Sequence, residues 1–181
     1  LMGLLEHYLV AEQAKMMRYG IRLLTVGDRS RLPAGVRRTL ESVLATTANN
    51  QRMTVVLALS YSGRDDIVRM ARNLAQQVKT GQCQPEAVDE QWISSQLDTA
   101  GVPDPDLLIR TSGEMRISNF YLWQIAYSEL YITPTLWPDF REKEYLHALL
   151  DYQRRRRRFG RTDEQLAQNP MAAMGAGGPK S

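Results

Sequence analysis

Two arginines, neighbouring hydroxyl side chains and a glycine fall between Arg110 and Ser118, in the stretch RTSGEMRIS. The mixture has a chemistry. An arginine fork matches phosphate oxygens two at a time. Gly113 lets backbone amides approach an anion closely. Ser118 stands before a stretch read as helical, whose amino end favours negative charge. Together these residues read as a phosphate-binding turn. The bland alternative is a pair of surface arginines, Arg110 and Arg116, balanced by Glu114.

Such a turn needs elements to hold it. Residues 4–17 place Leu4, Leu5, Tyr8, Leu9 and Met16 at helical spacing, and Gly20 ends that helix. IRLLTVGD (21–28) reads as a buried strand. Pro33 suits a helix first turn, with Val36, Leu40, Val43 and Leu44 on its apolar face. MTVVLALS (53–60) reads as a strand covered on both faces. A helix over 64–79 turns Ile67, Val68, Ala71 and Leu74 inward, and Pro85 opens a short helix through Trp92 and Leu97. DLLIR (106–110) is a third strand, SNFYLWQIAYSE is mainly helical, and LYITP (130–134) is a fourth strand. Asp139 with Glu142 three residues on reads as a capping box, opening a last helix from Phe140 to Phe159.

Strands alternating with helices define an α/β class with a mainly parallel central sheet flanked by helices. Ligands bind such sheets outside the carboxyl ends of the strands. Three polar turns follow strands directly: Gly27-Asp28-Arg29, Ser60 to Arg64, and Arg110 to Gly113. One domain is expected over residues 1–161, with 162–181 too weakly patterned to fold and read as a disordered tail.

Composition narrows the class. At 181 residues, 43% hydrophobic and 24% charged, the chain reads as a soluble globular protein. No run of 18 apolar residues exists to span a membrane. The start has no basic leader or cleavage site, and beginning at Leu1 in what reads as mid-helix fits a fragment. A single cysteine, Cys83, excludes a disulfide framework and fits a reducing cytoplasm; its polar loop reads as surface. From Asp151 onward 7 basic and 3 acidic residues give +4, so the other 150 residues carry −1. Nothing in the body of the chain resembles a nucleic-acid footprint. His7 and His147 have no ligand-spaced partner, and no G-x-G-x-x-G or Walker loop occurs. Trp92, Trp123 and Trp137 read most simply as core or interface anchors.

The segment from Asp106 to Phe140 resembles the most diagnostic motif of the cis-prenyltransferases, the undecaprenyl diphosphate synthases in particular. The likeness runs over residues 1–160. It takes in the VGD turn (26–28), Tyr61-Ser62-Gly63-Arg64, the RTSGExRISNF core, LWQIAYSELY and LWPDF. No DDxxD pair of the trans-prenyltransferases is present. The resemblance implies sequential cis-condensation of isopentenyl diphosphate onto an allylic diphosphate such as farnesyl diphosphate. The product implied is a long polyprenyl diphosphate of the undecaprenyl cell-wall carrier kind. It implies Mg²⁺ as cofactor and a homodimer in the cytoplasm. Carried over residue by residue, Arg110, Arg116 and Ser118 hold the isopentenyl pyrophosphate, and Glu129 of YSELY handles Mg²⁺ and isopentenyl placement. Glu114 is expected to orient the arginines.

The run RRRRRFG (154–160) keeps three readings. Arg158-Phe159-Gly160 resembles the family's RxG motif, which crosses a dimer interface, so Arg158 and Gly160 are candidate substrate-binding residues. The other arginines are solvated or touch anionic lipid at the inner face of the plasma membrane. A nucleic-acid tail has no support elsewhere. Two departures stand out: the family usually has Asn at Ser60 and Gly at Ser62. The family's amino-terminal phosphate loop, with its Mg²⁺-binding Asp, lies upstream of the resemblance, so no catalytic residue is assigned and this segment alone is expected to be inactive. Leu5, Leu9, Met16, Val55 and Leu57 suit either an apolar tunnel or plain core. The competing functional reading is a noncatalytic partner subunit of a heteromeric prenyltransferase.

Overall fold

The computed structural model describes residues 2–155, which divide into two compact units with the boundary between Ala100 and Gly101. The first unit runs α1 (Met2–Tyr19), β1 (Ile21–Val26), α2 (Ala34–Thr47), β2 (Met53–Ala58), α3 (Gly63–Lys79) and α4 (Glu90–Gln96). β1 and β2 are parallel, in register from Ile21↔Met53 to Val26↔Ala58. A parallel pair requires a long crossover, and α2 provides it.

The core of this unit gathers Leu9 of α1, Leu23 of β1, and Leu32, Leu40 and Val43 around α2. Full burial of side chains of this size stabilises by roughly 1.5–3 kcal/mol each. Leu5, Met16, Val55 and Leu57 are partly buried and pack against that cluster. Thr47 is completely buried and stitches α2 to β1. Its Oγ1 accepts from the Leu23 N–H at 3.1 Å and donates to the Val43 carbonyl at 2.9 Å. Asn50 extends the stitch by donating to the Ile21 carbonyl at 2.8 Å. Gly20 ends α1 at φ +66°, as the sequence indicates.

Several expectations change here. β2 is not covered on both faces: Met53, Thr54 and Ala58 are exposed. Among the described residues it ladders with β1 alone. On α3, Val68 and Ala71 face solvent, and the fully buried positions are Gly63 and Asp66. A carboxylate takes the centre of the inward stripe because partners wait for it there. Cys83 is buried, 8% exposed, instead of lying on the surface. The loop after α3 folds back, with the Gln82 and Cys83 amides both reaching the Gln77 carbonyl, and turns the small thiol inward. The short helix from Pro85 is split into a 3₁₀ turn, Pro85–Ala87, and α4, whose N-cap Asp89 accepts from the Trp92 N–H at 2.7 Å.

The second unit contains β3 (Leu107–Arg110), β4 (Glu129–Ile132) and α5 (Glu142–Arg154). β3 and β4 are parallel, Leu107 opposite Glu129 and Arg110 opposite Ile132. Their connection is a series of turns, not the helix expected over SNFYLWQIAYSE. Ser118, Asn119 and Tyr121 have φ of +49°, +64° and +48°, a left-handed backbone that no right-handed helix accommodates. The helix-end argument for an anion beside Ser118 falls with it. The cap of α5 also moves. Trp137–Asp139 forms a 3₁₀ turn, and the capping box is Arg141 with Glu144, the Arg141 N–H donating to Glu144 Oε2 at 3.1 Å. α5 ends at Arg154, five residues before the expected Phe159. Trp137 is 73% exposed and anchors no core in this chain. The class is α/β with parallel strands flanked by helices, and among the described residues each unit carries one parallel strand pair.

Candidate functional site

Arg110 is the last residue of β3, and the chain turns sharply after it. Ser112 and Gly113 both adopt φ +67°. That double left-handed step suits a tight turn, and a glycine tolerates it without strain. Three amides lock the turn onto the end of β4. Thr133 N–H donates to Arg110 O at 2.9 Å, Gly113 N–H to Thr133 O at 2.8 Å, and Ser112 N–H to Thr135 O at 2.9 Å.

The Arg110 Nε is buried and has no hydrogen-bond partner among the described residues. A buried, unpaired donor costs about 1–3 kcal/mol, so this one calls for an acceptor from outside. Arg110 and Arg116 line the same small cavity, about 40 Å³, walled by Leu108, Ile117, Leu130 and Ile132. Its volume is little more than one water's share of liquid. A diphosphate therefore requires Arg116 to move. Arg116 pairs with Glu114, and its side chain is 68% exposed. Exposed pairs of this kind contribute about 0–1 kcal/mol, so exchanging Glu114 for a stronger anion is cheap. Ser118 is exposed and does not line the cavity.

Glu129 begins β4, at the opposite end of the strand pair from Arg110. Its Oε2 accepts from Arg155 Nη1 at 3.0 Å. Among the described residues no group of three His, Cys, Asp or Glu side chains is placed to hold a metal ion. Glu129 offers a single carboxylate, and Mg²⁺ is commonly held by one or two carboxylates together with substrate phosphates. Arg158 and Gly160 lie outside the described residues.

The first unit carries a second polar centre. The Gly27-Asp28-Arg29 turn meets the Ser60–Arg64 turn, as the strand order implies: Leu59 N–H donates to Val26 O at 2.9 Å, and Asp28 N–H to Ser60 O at 3.4 Å. Gly27 sits at φ +100°, and a Cβ there would come within 2.2 Å of the Leu59 carbonyl oxygen. Asp28 accepts from the Ser30 N–H and Oγ, which hold its carboxyl below the usual range. An open cleft of about 520 Å³ lies over the turn, edged by Arg29, Arg37, Glu41 and Arg69.

Behind the turn is a network the sequence reading missed. Asp98 Oδ2 accepts from the Gly27 N–H at 2.9 Å and from Arg69 Nη2 at 2.6 Å. Asp66, 2% exposed, accepts from the Asp98 N–H at 3.1 Å, from Tyr61 Oη at 3.1 Å and from Arg69 at 3.4 Å. Burial pushes the Asp66 carboxyl up, against the pull of the Asp98 amide. The available signal was an acidic residue on the inward stripe of an amphipathic helix. The two departures also gain a physical account. Ser60 lies at φ +50°, a region where Asn is enriched. Ser62 is the N-cap of α3 and accepts from the Asp65 N–H at 3.3 Å, a bond that glycine cannot supply.

This geometry defines an α/β domain with paired arginines gathered at a strand end. The family model described as putative undecaprenyl diphosphate synthase matches residues 1–160, and the chain belongs to that cis-prenyltransferase family. An isoprenyl transferase of Chlorobaculum tepidum is 51% identical over 169 residues, covering 93% of this chain and 64% of the relative. The chain thus spans a little under two thirds of that relative's length. Among solved structures, lavandulyl diphosphate synthase from Lavandula x intermedia, in complex with dimethylallyl diphosphate, superposes with a TM-score of 0.85 at 39% identity. It covers 88% of this chain and 69% of its own. A probable undecaprenyl diphosphate synthase from Campylobacter jejuni gives 0.76 at 31% identity, over 88% of this chain and 72% of its own. The resemblance read from the sequence is borne out at the level of family and fold. No described helix is long and apolar enough to cross a membrane.

Proposed function

We propose that this chain supplies the isopentenyl diphosphate half of a cis-prenyltransferase site. The observation that carries the reading is the buried, partnerless Nε of Arg110 in a cavity shared with Arg116. A pyrophosphate satisfies that donor and replaces Glu114 as the partner of Arg116. Two guanidinium groups suit its oxygens bidentately. Ser118, exposed on the following turn, joins once the loop closes on the anion.

The reaction is addition of the isopentenyl double bond to the first carbon of an allylic diphosphate. Pyrophosphate leaves that carbon, and a proton leaves the new chain. Repetition yields a long cis-polyprenyl diphosphate, with farnesyl diphosphate as primer and the undecaprenyl cell-wall carrier precursor as the product class. The part of this chain is binding and orientation of the isopentenyl unit, which turns a bimolecular encounter into a positioned one. Mg²⁺ would neutralise charge on such diphosphates, with Glu129 the carboxylate of this chain that the resemblance assigns to it. We place the protein in the cytoplasm as a homodimer, with Arg158 and Gly160 reaching a second copy and the remaining arginines available to anionic lipid.

The competing reading is a noncatalytic partner subunit. A partner subunit has no need of an open donor at Arg110, which favours the first reading. Calorimetry with isopentenyl diphosphate tests it. The chain is expected to bind weakly, and Arg110→Ala to abolish binding. Unchanged binding by the variant removes the assignment. The 1–181 chain alone is expected to show no prenyl transfer from labelled isopentenyl diphosphate. Joined to the part of the Chlorobaculum tepidum relative that it does not match, the chain is expected to give a ladder ending at a long polyprenyl product.

A further inference from the structure

Thr133 follows the last residue of β4 and is buried, 8% exposed, although it carries a hydroxyl. Packing alone is served by valine at such a place; a buried hydroxyl needs partners. Thr133 finds two on one residue. Its Oγ1 donates to Thr135 Oγ1 at 3.1 Å and accepts from the Thr135 N–H at 3.3 Å. Pro134 stands between them and narrows the backbone of Thr133 toward extended forms. Thr135 is thereby pinned at its amide and at its side chain. Its carbonyl, held in place, takes the Ser112 N–H at 2.9 Å.

Thr133 grips the same turn through its own backbone. Its N–H donates to the Arg110 carbonyl at 2.9 Å, and its carbonyl accepts from the Gly113 N–H at 2.8 Å. Each of the three bonds that lock the turn therefore involves Thr133 or Thr135. The Ser112 and Gly113 amides are spent on β4, so neither is left to cradle an anion. What the turn contributes is direction. Arg110 enters it, and the reversal at Ser112 and Gly113 brings Arg116 back to the same cavity. Ser112 lacks the freedom of glycine, and a side-chain-bearing residue at φ +67° persists only where its surroundings fix it. The bond to Thr135 is such a fixing.

We propose that Thr133 is a positioning residue for diphosphate binding: through Thr135, its hydroxyl holds Ser112 in the left-handed turn that brings Arg116 to Arg110. The functional consequence rests on the reading of the Arg110 cavity as a diphosphate site. The brace itself rests on the hydrogen bonds alone.

Two measurements on the 181-residue chain test it, with Thr133→Val, Thr133→Ser and Thr135→Val. Amide hydrogen exchange followed by NMR reads the turn without any ligand. Thr133→Val is expected to speed exchange at Ser112 about tenfold, while the amides that ladder β3 to β4 stay within about threefold. Thr133→Ser keeps the hydroxyl and is expected to match wild type. Thr135→Val keeps the amide bond to Thr133 and is expected to fall between. Thr135 is only half-buried, so this variant carries both comparisons where Thr133→Val does not fold.

Calorimetry with inorganic pyrophosphate reads the consequence. Thr133→Val is expected to weaken binding about fivefold, the size of one hydrogen bond, with Thr133→Ser close to wild type. In an Arg116→Ala background the same substitution is expected to change affinity by less than about twofold, because it acts by placing Arg116. Unchanged Ser112 exchange in Thr133→Val overturns the brace. Equal weakening with Arg116 present and absent overturns the positioning role and leaves Thr133 as scaffold. A wild-type chain that does not bind pyrophosphate overturns the diphosphate reading instead, and the exchange measurement still decides the brace.

Discussion

The backbone amide of Gly27 donates to the carboxylate of Asp98 at 2.9 Å, joining residues 71 positions apart. Asp98 holds Arg69 with the same oxygen, and its own amide is held by Asp66. The turn after β1 is thereby fixed from the far end of the first unit. The start of α3, with Asp66 and Arg69, and the segment that follows α4, with Asp98, must both be in place before this turn is rigid.

Gly27→Ala tests the closeness of that packing. A Cβ would lie 2.2 Å from the Leu59 carbonyl and 2.9 Å from the Tyr61 backbone, at φ +100°. Neither neighbour is a flexible side chain. Strain at such a φ alone costs about 1–3 kcal/mol, and the clash adds to it. The urea midpoint is expected to fall by an amount equivalent to more than about 2 kcal/mol. Loss of less than half of that shows that the turn relaxes in a way the geometry does not indicate.

Asp66 gives a pH dependence with a definite sign. Burial raises its carboxyl in the fold above the ordinary value of 3.8. The native state therefore binds a proton that the unfolded chain releases. The linkage slope is negative between the two values, so stability falls as pH rises from about 4 to the raised value. Asp66→Asn keeps the acceptor for Arg69 and the Asp98 amide and has no proton to lose. The difference in urea-unfolding free energy, variant minus wild type, is expected to grow with pH across that interval and then level. A difference that stays constant from pH 4 to 7 contradicts the assignment.

Much of this was legible in the sequence, for physical reasons. Long apolar runs bounded by Gly20, Pro33 and Gly63 gave α1, β1, α2, β2 and α3 within a few residues, because periodicity and breakers act locally. Arg110 and Arg116 could be singled out because two arginines flank a glycine turn at a strand end. The stretch 118–128 misled, since its composition suits a helix while three left-handed residues forbid one. Nothing in local propensity announces that choice. Asp66, Asp98 and Arg155 were missed because their meaning lies in pairings 26 to 71 residues apart. Cys83 was misplaced for a similar reason: a polar loop closes back over it.

Thr47 measures the stitch between helix and strand. Its hydroxyl is fully buried and serves the Leu23 amide and the Val43 carbonyl at once. Thr47→Val preserves shape and removes the acceptor, leaving the Leu23 N–H buried without a partner. The expected cost is about 1–3 kcal/mol in chemical denaturation. Thr47→Ser keeps the hydroxyl and is expected to recover most of that loss, apart from a small packing term. A larger loss for Thr47→Ser than for Thr47→Val means that the methyl group, not the hydrogen bonds, is what matters.

The two arginines of the candidate site are expected to separate stability from binding. Arg116 is two-thirds exposed and paired only with Glu114 in the described contacts, so Arg116→Ala is expected to change the folding free energy by less than about 1 kcal/mol. Arg110 is a different case. Its Nε is buried without a partner, an arrangement that costs free energy in the empty protein. Arg110→Ala removes that penalty along with the side chain's packing, and the two effects oppose each other. Stability close to wild type is therefore expected for both variants, while affinity for inorganic pyrophosphate drops at least tenfold in each. Arg110→Lys distinguishes fork from charge: a lysine restores the positive charge but not the planar donor set, and recovery of less than a third of the lost affinity is expected. Thermal unfolding and titration calorimetry on the same preparations give both numbers. A variant that loses stability and affinity in proportion points to a scaffold residue, and that outcome at Arg110 moves the anion site elsewhere.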